Sequence, residues 1–498
     1  MLKVTFSRTA AFSRKLYTNL FIYKIRRKQL NTLLQELADF ASSLRYVDLP
    51  APVVEETKYL LLDSIGCALA STTTDRGKMT IALARRLGGP PESSILGIGD
   101  KVSYSSAALV NGELINTVDY DALMPGSHAP PYIIPPPLAV AESLRTSGKE
   151  LILATTLGFE IAGRVAAALK KPGFGFGPDG KTFEWGTREG QAYSNFGASA
   201  AAGKLLHLDP NKLAHAMGIA GHLTQVLTHA RYSFSDQRHM TKYGVPGWQN
   251  TGAVNAVLLA EMGYSGDLSI FDSEYGFWKF CGYDYWNPEV ITADLGEKWV
   301  FAKVNYKPYP CCRMLHGAID CLLSIIDRNK LMPDDIESIK AYCHPSVDLP
   351  CFTNPDVDNI VAAQFNPKYV LSVVAHRVKI GVEWLDAETM KDQNILEFGK
   401  KITCTGHPEY GKEILKDPTI TLNKVEVVAA GKTYMEERTK VRGTSGTEVA
   451  MTRNELVEKF RHNASRILTQ EKIDGAVDTM LNVEKLEDVT KLIKQLVI

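Results

Sequence analysis

Three short stretches of this chain set ionisable groups close enough together to move protons on an anion. Asp119-Tyr120-Asp121 is followed by His128 within ten residues, and the Pro130–Pro137 stretch holds that histidine on a stiff loop. Histidine is the natural proton carrier near neutral pH, and a neighbouring carboxylate can fix which ring nitrogen bears the proton. The same pattern also describes an exposed turn with a solvated histidine. Lys242 precedes Gly247-Trp248, with a helix expected from about Asn250. Lys307-Pro308-Tyr309-Pro310-Cys311-Cys312-Arg313 leads to His316, where another helix should open. Two cations on a segment stiffened by two prolines suit a polyanionic ligand, because hydrogen bonds to charged groups are about twice as strong as neutral ones. The vicinal Cys311 and Cys312 read either as a redox pair or as small packing residues, and packing is the commoner use.

Two other chemistries are disfavoured. Gly175-Phe176-Gly177-Pro178-Asp179-Gly180 matches the G-x-G-x-x-G pattern of dinucleotide sites. Such a site needs a preceding strand and a helix opening on its last glycine. Here a helical run precedes it, and proline and aromatic residues crowd it, so it reads as a surface loop. The eight cysteines are scattered without a C-x-x-C. That gives neither a disulfide framework nor zinc or iron–sulfur spacing, and it suggests reduced thiols of an intracellular protein.

The elements that must hold these groups are mainly helical. Val54, Leu61, Ile65 and Leu69 recur at helical offsets behind Pro52, and Ala198–Leu206 and Ala253–Met262 read as helices buried against helices. Past about residue 300 the pattern changes. Ile339, Ala341 and Cys343 alternate with polar neighbours, and Val425 and Val427 ahead of Gly431-Lys432 suggest a hairpin. Thr452 and Glu455 form a capping box before Leu456, Phe460 and Ile467, where helix resumes. The expected organisation is a helical domain over 36–300, an α/β lid over 301–446 and a return to the helical domain over 447–498.

Lys+Arg and Asp+Glu both number 56 and no long basic stretch stands out, so neither nucleic acid nor a membrane is an expected partner. No apolar run reads as long enough to cross a bilayer, and the bulk of the chain reads as soluble. Residues 1–35 hold eight basic and no acidic residues. That composition fits a mitochondrial presequence, with a disordered tail as the alternative.

Several segments, taken in order, resemble the MmgE/PrpD family, which includes 2-methylcitrate dehydratase and cis-aconitate decarboxylase. They are Lys58–Gly66, Val110-Asn111-Gly112 leading into Asp119–Asp121, Phe196–Lys204, Lys242 with Gly247-Trp248, Ala363-Gln364-Phe365 with Tyr369, and Lys459-Phe460-Arg461. The likeness runs from about 36 to 495. It implies a large, mostly helical domain built from both chain ends, an inserted α/β lid, a site between them, a homodimer, and no metal or other cofactor. It puts Asp119, His128, Lys242, Lys307 and Tyr369 on lining positions. Arg188 falls where the decarboxylases carry a histidine, and Cys312 where the mammalian decarboxylase has a lid histidine, with His316 four residues on.

The resemblance therefore implies a lyase for a small polycarboxylate, foremost the dehydration of 2-methylcitrate or a longer 2-alkylcitrate. His128 would transfer the proton, Asp119 would orient it, and Tyr369 would serve the departing hydroxyl. Lys242, Arg188 and Lys307 would hold carboxylates, with Cys312, Arg313 and His316 beside them. Decarboxylation of cis-aconitate to itaconate is the alternative: the vicinal-cysteine segment favours it and Arg188 opposes it. A catalytically inactive dimeric scaffold is the third reading.

Overall fold

The computed structural model describes residues 31–124, 128–169, 190–225, 228–242, 244–417 and 419–498. The basic start, Arg188 and the Gly175–Gly180 motif lie outside the described residues. The chain is mostly helical, with a small mixed sheet late in the sequence. Helix α1 (Ala51–Ser71) starts behind Pro50 and is buried almost continuously from Thr57 onward. A helix buried on every side needs neighbours on every side. Here α2 (Tyr104–Thr117) and α9 (Arg453–Ala464) supply two of them, so the two ends of the chain share one core. Helices α3 (Gly148–Leu169), α4 (Ser194–Leu205) and α5 (Pro246–Glu261) complete its centre. By length and apolarity α3 could cross a bilayer, contrary to the reading of the sequence, but most of it is buried in this core. Its charged pair Glu160–Arg164, at 2.6 Å, is buried as well.

Where α2 and α5 cross, their backbones approach closely. A Cβ on Gly112 would lie 2.2 Å from Asn250 Nδ2, and one on Gly247 would lie 2.4 Å from the Leu109 carbonyl. Only glycine fits at either position. Helix α5 begins at Pro246 rather than near Asn250, because proline lacks the N–H that a first helical turn leaves unused.

One hydrophobic cluster joins residues between Leu34 and Tyr306 with residues between Leu456 and Leu496. A second gathers mainly residues between Tyr309 and Ala429. The second contains the four-stranded sheet, ordered β4-β3-β5-β6, where β3 is Ile336–Cys343, β4 Ile402–Gly406, β5 Asn423–Ala429 and β6 Lys432–Arg438. (Strands β1, Ser93–Ser94, and β2, Lys101–Val102, form a separate hairpin.) Strands β3 and β4 are parallel, and the other pairings are antiparallel. Ile339, Ala341 and Cys343 point into the core, as their alternation predicts. Ala430 and Gly431 turn the β5–β6 hairpin with φ of 49° and 71°. Positive φ at both turn positions matches the right-handed twist of the flanking strands. Helices α6 (His316–Asn329), α7 (Ile360–Phe365) and α8 (Pro367–Ala375) belong to this second cluster. The expected capping box at Thr452 and Glu455 opens α9, which ends at Ala464, before Ile467.

Candidate active site

Helix α2 ends at Thr117, and two residues later the backbone turns into the left-handed region at Asp119, φ 51°. Aspartate tolerates that conformation better than most residues. The turn buries the Asp119 carboxylate, where it meets two lysines. Lys242 Nζ donates to Oδ1 at 2.7 Å, and Lys307 Nζ donates to Oδ2 at 2.8 Å and also to the Asp119 carbonyl. Lys242 has a positive φ of its own, 48°. Strained backbone of this kind persists only where surrounding contacts impose it. Burial alone would raise the Asp119 pKa, but the two ammonium groups overcome it and hold the carboxyl well below its usual range. Burial lowers the Lys242 pKa despite Asp119. Burial also works against the Lys307 ammonium, yet Asp119 and Asp121 outweigh it and its pKa is raised.

Three contacts fix this geometry. The segment after Asp119 pairs with the chain entering Lys307 through mutual Leu123–Asn305 backbone bonds of 2.7 Å. Beneath them, Lys459 Nζ of α9 binds Asp63 of α1 at 2.7 Å, together with the carbonyls of Tyr120 and Lys307. From the second cluster, the Gln364 amide donates to the Thr117 carbonyl at 2.8 Å, while its own backbone carbonyl accepts from Cys312 N–H at 3.0 Å.

His128 Nδ1 lies 3.1 Å from Asp121 Oδ2, and the carboxylate is fully buried. A carboxylate there can only accept, so Nδ1 carries the proton and Nε2 keeps its lone pair. Burial, reinforced by Lys307, lowers the His128 pKa against the pull of Asp121 and Asp119. The imidazole is therefore neutral at pH 7, in the form that accepts a proton. Asp121, not Asp119, is the carboxylate at hydrogen-bond distance from His128, which corrects the expected pairing. Asp119 turns instead to the lysines.

The remaining expected residues divide. Cys312 lies within the electrostatic reach of Asp119, Lys307 and Lys242, and burial followed by Asp119 pushes its thiol up to about 12. A neutral thiol, not a thiolate, faces the cluster. His316 does not join it as a free group. Its Nε2 lies 3.1 Å from the Cys311 carbonyl, and burial, Arg313 and Lys307 hold its pKa well below the ordinary value, so it braces the cysteine turn as a neutral ring. Arg313 gives its guanidinium to the Arg442 carbonyl at 2.6 Å and to Thr444 Oγ1 at 2.9 Å, away from Asp119. Tyr369 is likewise turned away: its hydroxyl donates to the Trp384 carbonyl, and burial raises its pKa. A phenol committed to a buried carbonyl is badly placed to protonate a leaving hydroxyl, so the expectation for Tyr369 does not match the geometry. Arg188 lies outside the described residues.

Two nearby residues carry no signal in the sequence. His229 feels the charge of His128, and burial with that neighbour lowers its pKa to about 4. Arg238 lies against the Tyr232 ring at 5.3 Å. Neither belongs to a motif with a spacing that announces its role, although Arg238 lies only four residues before Lys242.

A neutral histidine with a fixed tautomer, beside a buried carboxylate–lysine cluster, is the equipment of an acid–base enzyme for anionic substrates. The MmgE/PrpD N-terminal domain matches residues 35–287, and the MmgE/PrpD C-terminal domain matches residues 309–483. The chain belongs to the MmgE/PrpD family, and at the level of the family it is a lyase. It is 24% identical over 484 residues to cis-aconitate decarboxylase of Aspergillus terreus, covering 93% of this chain and 95% of that one. A cis-aconitate decarboxylase-like protein of Aspergillus oryzae is 25% identical over 92% of this chain and 96% of its own. The Homo sapiens cis-aconitate decarboxylase is 24% identical over 93% of this chain and 94% of its own.

Proposed function

We propose that this protein is a lyase for a small tricarboxylate, and that its chemical step is a proton transfer at a carbon beside a carboxylate, carried by His128. The observation that supports this most is the neutral His128 ring, whose Nδ1 is engaged by the buried Asp121 carboxylate, which makes Nε2 the ring nitrogen without a proton. A basic nitrogen beside two buried lysines suits elimination from 2-methylcitrate or a longer 2-alkylcitrate. His128 Nε2 takes the C–H proton, the electron pair forms the double bond, and the hydroxyl leaves as water with a proton from an ammonium group. Lys242, whose ammonium burial makes the more acidic of the pair, is the group that would supply that proton. General acid–base catalysis contributes about 10²–10⁴ in rate, so the field of the lysines must supply much of the rest.

The names of the relatives favour a second reading, loss of CO₂ from cis-aconitate. There the C–C bond electrons shift through the existing double bond, and the far carbon takes a proton to give itaconate. His128 would then have to arrive protonated. Incubating the purified chain with citrate, 2-methylcitrate, longer 2-alkylcitrates and cis-aconitate separates the readings, through absorbance of the new double bond in one case and CO₂ release in the other. Turnover of none of these acids would overturn both. A homodimer and import directed by the basic start remain part of the proposal, to be tested by sedimentation and by a reporter fused to residues 1–35.

A further inference from the structure

The lysines beside Asp119 do not by themselves make a tricarboxylate site. Lys242 and Lys307 share Asp119, and Lys307 also feels Asp121, so these ammonium groups and carboxylates balance in number. A polyanion needs a cation that the protein has not already neutralised. Arg238 is only 6% exposed. Among the described residues, no group accepts a hydrogen bond from its Nε or Nη2, and Nη1 makes one long bond of 3.4 Å to the Tyr232 carbonyl. A guanidinium taken from water without an acceptor is strongly unfavourable, so a fold retains one where something else supplies the acceptor.

Its surroundings connect it to the cluster. The guanidinium carbon lies 5.3 Å from the Tyr232 ring, that ring packs edge-on to Phe365 at 5.1 Å, and Lys242 Nζ lies 5.9 Å from the Phe365 ring. These rings form one wall from Arg238 to Lys242. The Tyr232 hydroxyl feels the charges of Arg238 and Asp119 and the thiols of Cys351 and Cys312, so it lies within electrostatic reach of both Arg238 and the cluster. Asn359 Nδ2, at the N-cap of α7, donates to the Arg238 carbonyl at 3.2 Å, which ties the residue to that helix.

We propose that Arg238 is a substrate-binding residue that pairs, through its uncommitted Nε and Nη2, with one carboxylate of the tricarboxylate substrate. The proposal deepens the lyase reading above and rests on it for the identity of the ligand. Planar two-point pairing is what a guanidinium offers and an ammonium does not.

Tricarballylate, an unreactive tricarboxylate, tests the proposal by calorimetry on the full chain, with thermal melting alongside. Arg238→Gln and Arg238→Met should bind it roughly 10- to 100-fold more weakly, with Arg238→Lys between them and the parent. The melting temperature of Arg238→Met should stay level or rise, because an unpaired buried cation is removed; a structural arginine would give a fall. Affinity within twofold of the parent in Arg238→Gln overturns the proposal. So does a loss of affinity that only accompanies a loss of stability, or a parent that does not bind tricarballylate at all. A parent that binds through Arg238 yet turns over no acid keeps the anchor and removes the lyase reading. Turnover with an unchanged KM in Arg238→Gln does the reverse.

Discussion

Two buried aspartates meet buried lysines in this molecule, and they are served differently. Asp63 has Lys459, whose ammonium pairs with it at 2.7 Å and donates to the carbonyls of Tyr120 and Lys307. An ammonium has three donors, and three protein oxygens already surround that of Lys459. Despite that partner, burial keeps the Asp63 pKa raised. Asp119 has two lysines, its pKa is lowered, and Lys307 uses only two acceptors, both on Asp119. One pair is a closed brace that ties α1 and α9 to the 119–123 and 305–308 segments. The other is a cluster in which one lysine keeps a donor uncommitted among the described residues. The same residue types thus do structural work in one place and prepare an anion site in the other, and the count of donors against acceptors separates the two.

That contrast can be broken by mutation. Asp119→Asn leaves two ammonium groups buried without their carboxylate, and removing one partner of a buried ion pair costs about 3–5 kcal/mol. The expected outcome is that loss in chemical denaturation, together with loss of turnover. Lys459→Met should cost about 3 kcal/mol by the same reasoning, but adding Asp63→Asn should recover all but about 1 kcal/mol and leave measurable activity. If the Asp119→Asn/Lys307→Met double recovers activity equally well, the two pairs are alike and the contrast fails. Tyr369→Phe marks the small end: it removes one hydrogen bond to the Trp384 carbonyl, so stability should fall by about 1 kcal/mol with kcat within twofold. A large fall in kcat with intact stability would return Tyr369 to the chemistry.

The fold was legible where local physics decides. Alternation in β3, the Gly431 turn and the Thr452 capping box each follow from a few neighbouring residues, and each is observed. The site was legible only in part, because its bonds span the chain. Asp119 meets Lys242 and Lys307 across 123 and 188 residues. Which of two aspartates, Asp119 or Asp121, faces His128 depends on a left-handed backbone turn that residue types alone do not announce. Arg313 and His316 had the right chemistry for a ligand but are occupied by backbone carbonyls at 441–442 and at Cys311, which no spacing reveals. Arg238 was invisible for the converse reason: what matters about it is the partners it lacks.

The central claim is that His128 works as a neutral base. The pH dependence of kcat/KM on 2-methylcitrate and on cis-aconitate, for the parent and for His128→Ala, tests it most directly. The His128 pKa lies below its ordinary 6.5, and the active form is the one without the extra proton. Turnover of 2-methylcitrate should therefore stay level from pH 8 down to about 6.5 and fall only below that, with His128→Ala about 10²–10⁴-fold slower and without the fall. Activity on cis-aconitate alone, rising as the pH drops below 6.5 and lost in His128→Ala, would show His128 delivering a proton instead, and would contradict the account.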